Sequence, residues 1–343
     1  MTRPPLPLTM LLSRHTKRRE FISLLGGAAT WPLAAEAQAV ARPARIGLVP
    51  LGSPSNPSDQ ALVNAFQQGL RELGLVENQD VTIDIVWVRN ESEFPQVMKE
   101  LVERGAKILI PAGTSAAVAA KRATSSIPIV FITVGDPIGI GIVESLARPG
   151  GNVTGFSDVL LDLSSKYLDL ARQLATSPAA AVDYIWYAGW ANGPARFQAT
   201  QRAAQSVDVE LRSRAIGDAT EVGDAVAAMK EDGAVTVIVQ PGPFTYRHRK
   251  QLIESAITHG LGLIFAWPDA AREGALIGYG PDYAYIYRRS ASYVDRILNG
   301  TRPADLPVEQ PSKFQLVVNV KTAKALGREI PGTLLTIADE VIE

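Results

Sequence analysis

From residue 45 onward the apolar positions switch between two periods. Residues 46–49 form a short apolar run of the kind that suits a strand covered on both faces. Residues 59–73 then space Leu62, Phe66, Leu70 and Leu73 as one stripe of a helix. Residues 80–89 place Val81, Ile83, Ile85 and Trp87 at period two, which predicts a strand. The alternation continues with predicted helices over 94–104, 114–124 and 137–147 and predicted strands over 107–110, 128–132 and 153–157. A second block repeats it, with helices over 163–175, 194–207, 219–230 and 244–258 and strands over 182–187, 209–216, 235–239 and 261–267. A strand over 276–279, a long helix over 283–299, a Pro-rich run over 303–311 and a strand over 314–320 follow.

Strands that alternate with helices imply parallel sheets covered on both faces. The expected fold class is α/β: two doubly wound parallel-sheet lobes with a hinge and an interlobe cleft. Arg148-Pro149-Gly150-Gly151-Asn152 interrupts the pattern, and the change of lobe is expected soon after, over 157–162. The predicted organisation is an export signal over 1–39, a first lobe over 40–160, a second lobe over 161–274, and a C-terminal segment over 275–343 that crosses between them.

The N-terminal segment has the three parts of a secretory signal: a basic patch over 14–19, a mildly apolar run over 21–29, and small residues around Ala37 and Ala39. The apolar run falls short of the roughly 20 residues that span a bilayer. Arg18, Arg19 and Phe21 resemble the twin-arginine export motif, so the expectation is delivery by the twin-arginine machinery, cleavage near Ala37 or Ala39, and a periplasmic product. Residues 1–37 hold five basic and two acidic residues, so their removal leaves a net charge of −4.

That charge gives no excess with which to hold a phosphate backbone, so nucleic acid is not an expected partner. The chain has no cysteine and three histidines, which excludes disulfides, thiolate metal sites and a His-rich metal centre. His248 and His259 fall on one predicted helix, eleven residues apart and too distant along it to share a metal. No G-x-S-x-G, P-loop or complete G-x-G-x-x-G is present, and residues 139–144 only begin like the last, inside a predicted helix. No catalytic residue, metal or cofactor is therefore expected, which agrees with a binding protein.

In open parallel sheets solutes bind beyond the carboxyl ends of the strands. Gly113-Thr114-Ser115 opens a helix directly after a strand, where amides and two hydroxyls suit an anion and equally suit an ordinary N-cap. Asp136 and Asp269 are candidates to hold an ammonium or hydroxyl, and Asp136-Pro137 also reads as a helix start. Trp190, Phe244 and Trp267 lie in loops or at strand ends, where each either stacks on a solute or fills the core. The run 246–250, Tyr-Arg-His-Arg-Lys, reads as a solvated helix face.

Three segments carry a resemblance: residues 147–155, Ala-Arg-Pro-Gly-Gly-Asn-Val-Thr-Gly; residues 306–314, Leu-Pro-Val-Glu-Gln-Pro-Ser-Lys-Phe; and residues 321–327, Lys-Thr-Ala-Lys-Ala-Leu-Gly. With the opening Arg18-Arg19-Glu20-Phe21 and the closing residues 338–343, they resemble ABC-transporter substrate-binding proteins of the tryptophan/tyrosine-binding type. The resemblance implies a type I periplasmic binding fold, a hinge of crossing strands, a small-molecule solute such as an aromatic amino acid, and delivery to an ABC permease in the inner membrane; a monomer is expected. It places Thr114, Ser115 and Asp136 in first-lobe loops of the pocket and Asn192 and Asp269 in second-lobe loops. Residues 187–194 are more aromatic than the Asn-Pro usual in the family. A periplasmic sensor with the same fold, or an exported α/β enzyme using paired carboxylates, remain alternatives. A sugar-responsive transcription factor is disfavoured, since no helix-turn-helix precedes residue 45.

Overall fold

The computed structural model describes residues 43–160, 163–175, 181–189 and 193–343. The segment expected to be an export signal, with Arg18, Arg19 and Phe21, lies outside the described residues, as do Trp190 and Asn192. Two sheets organise the chain. The first contains β1 (Ala44–Val49), β2 (Val81–Ile85), β3 (Ile108–Pro111), β4 (Ile129–Val134) and β5 (Val153–Ser157). All are parallel, in the order β2-β1-β3-β4-β5. Parallel neighbours need crossover connections; α1 (Pro57–Glu72), α2 (Phe94–Glu103) and α3 (Thr114–Ala123) supply three of them, and turns link β4 to β5. Asn56 caps α1, its side chain accepting from the amides of Ser58 and Asp59, and Pro57 stands where a helix tolerates it. The stripe of Leu62, Phe66 and Leu70 is buried.

The second sheet contains β6 (Val182–Tyr187), β7 (Leu211–Ile216), β8 (Thr236–Val239), β9 (Gly262–Phe265), β10 (Ile277–Pro281), β11 (Phe314–Asn319) and β12 (Glu340–Ile342). Its order is β12-β11-β10-β9-β8-β6-β7, parallel except where β11 runs antiparallel to β10. The accompanying helices are α4 (Ser164–Gln173), α5 (Gly193–Ser206), α6 (Val222–Glu231), α7 (Pro243–Arg247), α8 (Arg249–Thr258), α9 (Pro268–Arg272), α10 (Tyr283–Leu298), α11 (Val320–Ala325) and α12 (Gly332–Ile337).

The chain passes between the sheets more than once. It leaves the first sheet after β5. It returns after β10, because α10 makes the most extensive helix–helix contact of the molecule with α1. A Cβ on Gly69 of α1 would lie 2.3 Å from the Arg288 carbonyl oxygen of α10, so a glycine is what permits this approach. Residues 306–309 then run beside β5: Thr154 Oγ1 donates to the Leu306 carbonyl at 2.6 Å, and Glu309 N to the Gly155 carbonyl at 3.0 Å. From there the chain re-enters the second sheet as β11.

Several sequence expectations are corrected. Residues 137–147 form turns, not a helix. Gly139 and Gly141, the latter at φ +70°, interrupt a run of β-branched residues, and Asp136 Oδ1 accepts from Gly139 N to cap a turn instead. The incomplete glycine motif over 139–144 therefore lies in turns. The helix expected over 244–258 is divided at His248 into α7 and α8, and His259 stands beyond the end of α8, so the two histidines do not share one helix. The run 246–250 is not a solvated face, since Tyr246 and Arg249 are buried. The strand expected over 80–89 ends at Ile85. The pattern did not indicate α9, α11, α12 or β12; each is six residues or shorter, too brief to display a period.

Candidate functional site

Strand order reverses between β1 and β3 in the first sheet and between β6 and β8 in the second. Crevices at such points receive ligands because the loops on either side turn away from one another. The loops after β1, β3 and β8 do meet across the two sheets. Leu51, Gly113, Thr114 and Thr133 face Arg196, the run Pro241-Gly242-Pro243 and Trp267, while Asp158, Leu160 and Tyr283 come from the crossing segments. The space they enclose is small, about 30 Å³, so a solute is admitted only when the lobes part.

Gly113 makes the turn from β3 into α3 at φ +88°, a conformation that favours glycine. It brings Thr114 to the cavity wall. Thr133, at the end of β4, is also left-handed at φ +58°, an uncommon state for a β-branched residue. Its Oγ1 is buried with no hydrogen-bond partner among the described residues, and the same holds for the Tyr283 hydroxyl. Thr133 is 5% exposed, Tyr283 6% and Asp158 6%. Burial raises the Asp158 carboxyl above the usual carboxylate range, opposed by the Arg196 charge and the Leu160 amide. Burial likewise pushes the Tyr283 hydroxyl well above its ordinary value.

Of the residues singled out from sequence, the structure brings Gly113, Thr114 and Trp267 to this cavity. Trp267 also packs edge-on against Tyr246, ring centroids 4.8 Å apart. Ser115 turns away and donates to Glu91 at 2.7 Å. Asp136 is exposed on its turn, and Asp269 accepts from Arg272 at 2.5 Å; neither lines the cavity. Phe244 stacks on Tyr187 at 4.0 Å beside a separate small recess. Sequence reasoning missed Asp158, Arg196 and Tyr283. Asp158 and Tyr283 stand just after β5 and β10, where the chain leads into crossings, and Arg196 lies within a helix, whereas the search took only the loops that follow strands inside each lobe.

A second, wider cleft of about 950 Å³ has walls from both sheets' layers, including Ser53, Trp87, Arg89, Arg247, His248 and Lys250. At its wall Asp59 Oδ1 accepts from Arg249 Nη2 at 2.8 Å and from the Tyr246 hydroxyl at 2.7 Å. Glu273 accepts from Arg249 Nε and Nη2, each at 2.9 Å, and from Asn56 Nδ2 at 3.2 Å. Burial raises the Asp59 carboxyl despite the opposing pull of Arg249, Tyr246 and the Ser53 amide.

Among the described residues no cluster of three or more His, Cys, Asp or Glu is placed to hold a metal. No helix there is long and apolar enough to cross a membrane. A family model described as ABC transporter substrate binding protein matches residues 53–342. A tyrosine-binding protein of Clostridioides difficile is 25% identical over 273 residues, which cover 79% of this chain and 78% of that one. Among solved structures, a conserved domain protein from Vibrio cholerae superposes with a TM-score of 0.79 at 25% identity, covering 87% of this chain and 99% of that one. An ABC domain from Streptococcus pneumonia in complex with L-Trp superposes with a TM-score of 0.78 at 24% identity, covering 88% and 100%.

Proposed function

The chain belongs to the ABC transporter substrate-binding protein family, and from that premise we propose that its inner cleft takes an aromatic, amino-acid-like solute. Family membership makes the protein the extracytoplasmic solute-binding component of an importer, a carrier and not a catalyst. The observation that supports the solute class is the convergence of buried polar atoms without partners among the described residues, Thr133 Oγ1 and the Tyr283 hydroxyl, beside the ring of Trp267. Unpaired buried hydroxyls cost about 1–3 kcal/mol each, and a solute that pairs with them in the closed form recovers that cost. The names of the relatives, tyrosine-binding and L-Trp-bound, are of the same class.

Capture requires no chemistry. A carboxylate meets Thr114 and the first amides of α3, the hydroxyls of Thr133 and Tyr283 complete the polar end, and Trp267 covers the apolar part. A solute that touches both lobes favours the closed state by its differential affinity, and the closed surfaces are then offered to a permease. The export segment, read at Arg18, Arg19 and Phe21 by the twin-arginine machinery and cleaved near Ala37 or Ala39, delivers the chain to the periplasm as a monomer.

Thermal unfolding of the mature chain against amino acids, aromatic acids, sugars and purines tests this reading. A solute at 100 times its dissociation constant adds about 2.7 kcal/mol of stability. The expected result is a rise in midpoint with aromatic compounds alone, the compound being recovered unchanged. A rise with sugars or purines alone, or breakdown of the compound, overturns it.

A further inference from the structure

Resting on that reading of the cleft, we infer that Arg196 determines solute specificity: it is the receptor for a solute carboxylate, and the solute class is aromatic carboxylates whether or not they carry an α-ammonium group. Arg196 reaches from α5 across to Gly135, just beyond β4. Its Nη2 lies 2.1 Å from the point where a Cβ on Gly135 would stand, and Asp158 Oδ1 lies 3.4 Å from the same point. Guanidinium and carboxylate therefore face each other over a residue that has no side chain to intervene.

This arrangement settles the charge balance of the cavity. Among the described residues Asp158 is the one carboxylate on its wall and Arg196 the one guanidinium. A buried carboxylate without a counter-charge would demand a cationic group from the solute. Here the protein supplies that cation from the opposite lobe, so a solute ammonium has to displace Arg196 to reach Asp158. Among the described residues the other polar side chains on the wall are the hydroxyls of Thr114, Thr133 and Tyr283 and the indole of Trp267. Hydroxyls and an indole N–H donate to an anion, and a guanidinium has five N–H groups, enough to serve Asp158 and a second carboxylate together. Thr133 and Tyr283 are more than nine-tenths buried and have no protein partner among the described residues, which marks the position the anion takes.

The test uses the whole mature chain and isothermal titration with matched compounds: tryptophan, indole-3-propionate, which lacks the ammonium, and tryptamine, which lacks the carboxylate, with the corresponding phenylalanine set. The expected result is that indole-3-propionate binds within about tenfold of tryptophan or tighter, while tryptamine does not bind. Arg196→Gln then weakens the acid about 10- to 100-fold, as loss of a charge-assisted hydrogen bond predicts, and Arg196→Lys restores part of it. Gly135→Ala pushes the guanidinium aside without altering it and weakens the acid in the same direction, so the outcome does not rest on one variant's folding. Amino acids that bind more than 100-fold tighter than their deaminated acids, together with tighter binding in Arg196→Gln, overturn the inference while leaving the aromatic solute class intact. Binding of neither set overturns both.

Discussion

Asp59 and Arg249, 190 residues apart in the chain and carried by helices that cover different sheets, meet at 2.8 Å with both side chains 1–2% exposed. Tyr246 and Glu273 complete the cluster from the second lobe, and Asn56 joins it from the first. Opening the lobes at this point hydrates Asp59 and leaves Arg249 paired with Glu273 of its own lobe. The pair is therefore a joint between lobes as well as a fold contact, and its balance of desolvation against attraction helps to set how readily the cleft opens.

The joint makes an energetic prediction. Asp59→Ala leaves Arg249 with Glu273 alone and is expected to destabilise the chain by about 3 kcal/mol or more, the scale for a broken buried pair. Arg249→Met strands Asp59 and costs a similar amount. The double variant is expected to cost well under the sum, with a coupling above about 1 kcal/mol in urea-denaturation cycles. Additive single effects would show that the two side chains act independently.

Two glycines inside helices predict opposite signs. Gly223 in α6 is exposed and has no atom within 4 Å of a would-be Cβ, so Gly223→Ala gains helix propensity of about 0.8–1 kcal/mol. Gly69→Ala offers the same gain, but its Cβ falls 2.3 Å from the Arg288 carbonyl oxygen and 2.9 Å from Ala291 Cβ. Backbone does not yield as a side-chain tip does, so the expected change at Gly69 is a loss. Calorimetric midpoints check both, and a raised midpoint for Gly69→Ala would mean that α1 and α10 can move apart at little cost.

His248 gives the chain a pH dependence of known sign. Burial, aided by the neighbouring Arg247 charge, lowers its pKa below the usual 6.5. The unfolded chain then binds a proton that the folded chain refuses, so this stabilising contribution is present above about pH 6.5 and lost as pH falls through the folded value. Relative to His248→Gln, the native chain is expected to lose midpoint temperature steadily between about pH 7 and pH 5.5. A constant difference across that range would show that the ring titrates normally.

The cavity hydroxyls and the outlying carboxylates separate binding from fold. Thr133→Val and Tyr283→Phe remove the unpartnered hydroxyls with little change of shape, and each is expected to weaken indole-3-propionate or tryptophan about 5- to 10-fold, the worth of a neutral hydrogen bond. Asp136→Asn and Asp269→Asn alter groups that lie outside the cavity and are expected to leave affinity within about twofold. Titration calorimetry decides, and a large effect at Asp136 or Asp269 would move the site away from Thr133.

Most of the strands and long helices were legible because each buries one face, and burial writes its period into the sequence. Leu62, Phe66 and Leu70 are one example, and the apolar run Ile129-Val130-Phe131-Ile132 of β4 is another. The turn over 137–147 was misread because Ile138, Ile140, Ile142 and Val143 are apolar at plausible spacing while Gly139 and Gly141 decide the backbone. Arg249 was misread for a different reason. Four charged or titratable neighbours in a row look solvated, and only the three-dimensional fold brings Asp59 and Glu273 to it. The site was legible in part: Gly113, Thr114 and Trp267 follow strand ends, where chain topology directs ligands. Asp158, Arg196 and Tyr283 reach the cavity through crossings and a cross-lobe side chain, and no local pattern records such meetings.

The pairing of α1 with α10 bears on the order in which the molecule can be finished. Residues 57–72 are synthesised early, yet the helix that covers them ends at Leu298. Residues 306–309, which flank β5, are made later still. A nascent chain thus exposes the partner face of α1 until most of translation is over, and the lobe that begins first is completed only after nearly the whole of the second has been made. Its core closes over a long sequence separation, which slows folding and favours assembly after release from the ribosome.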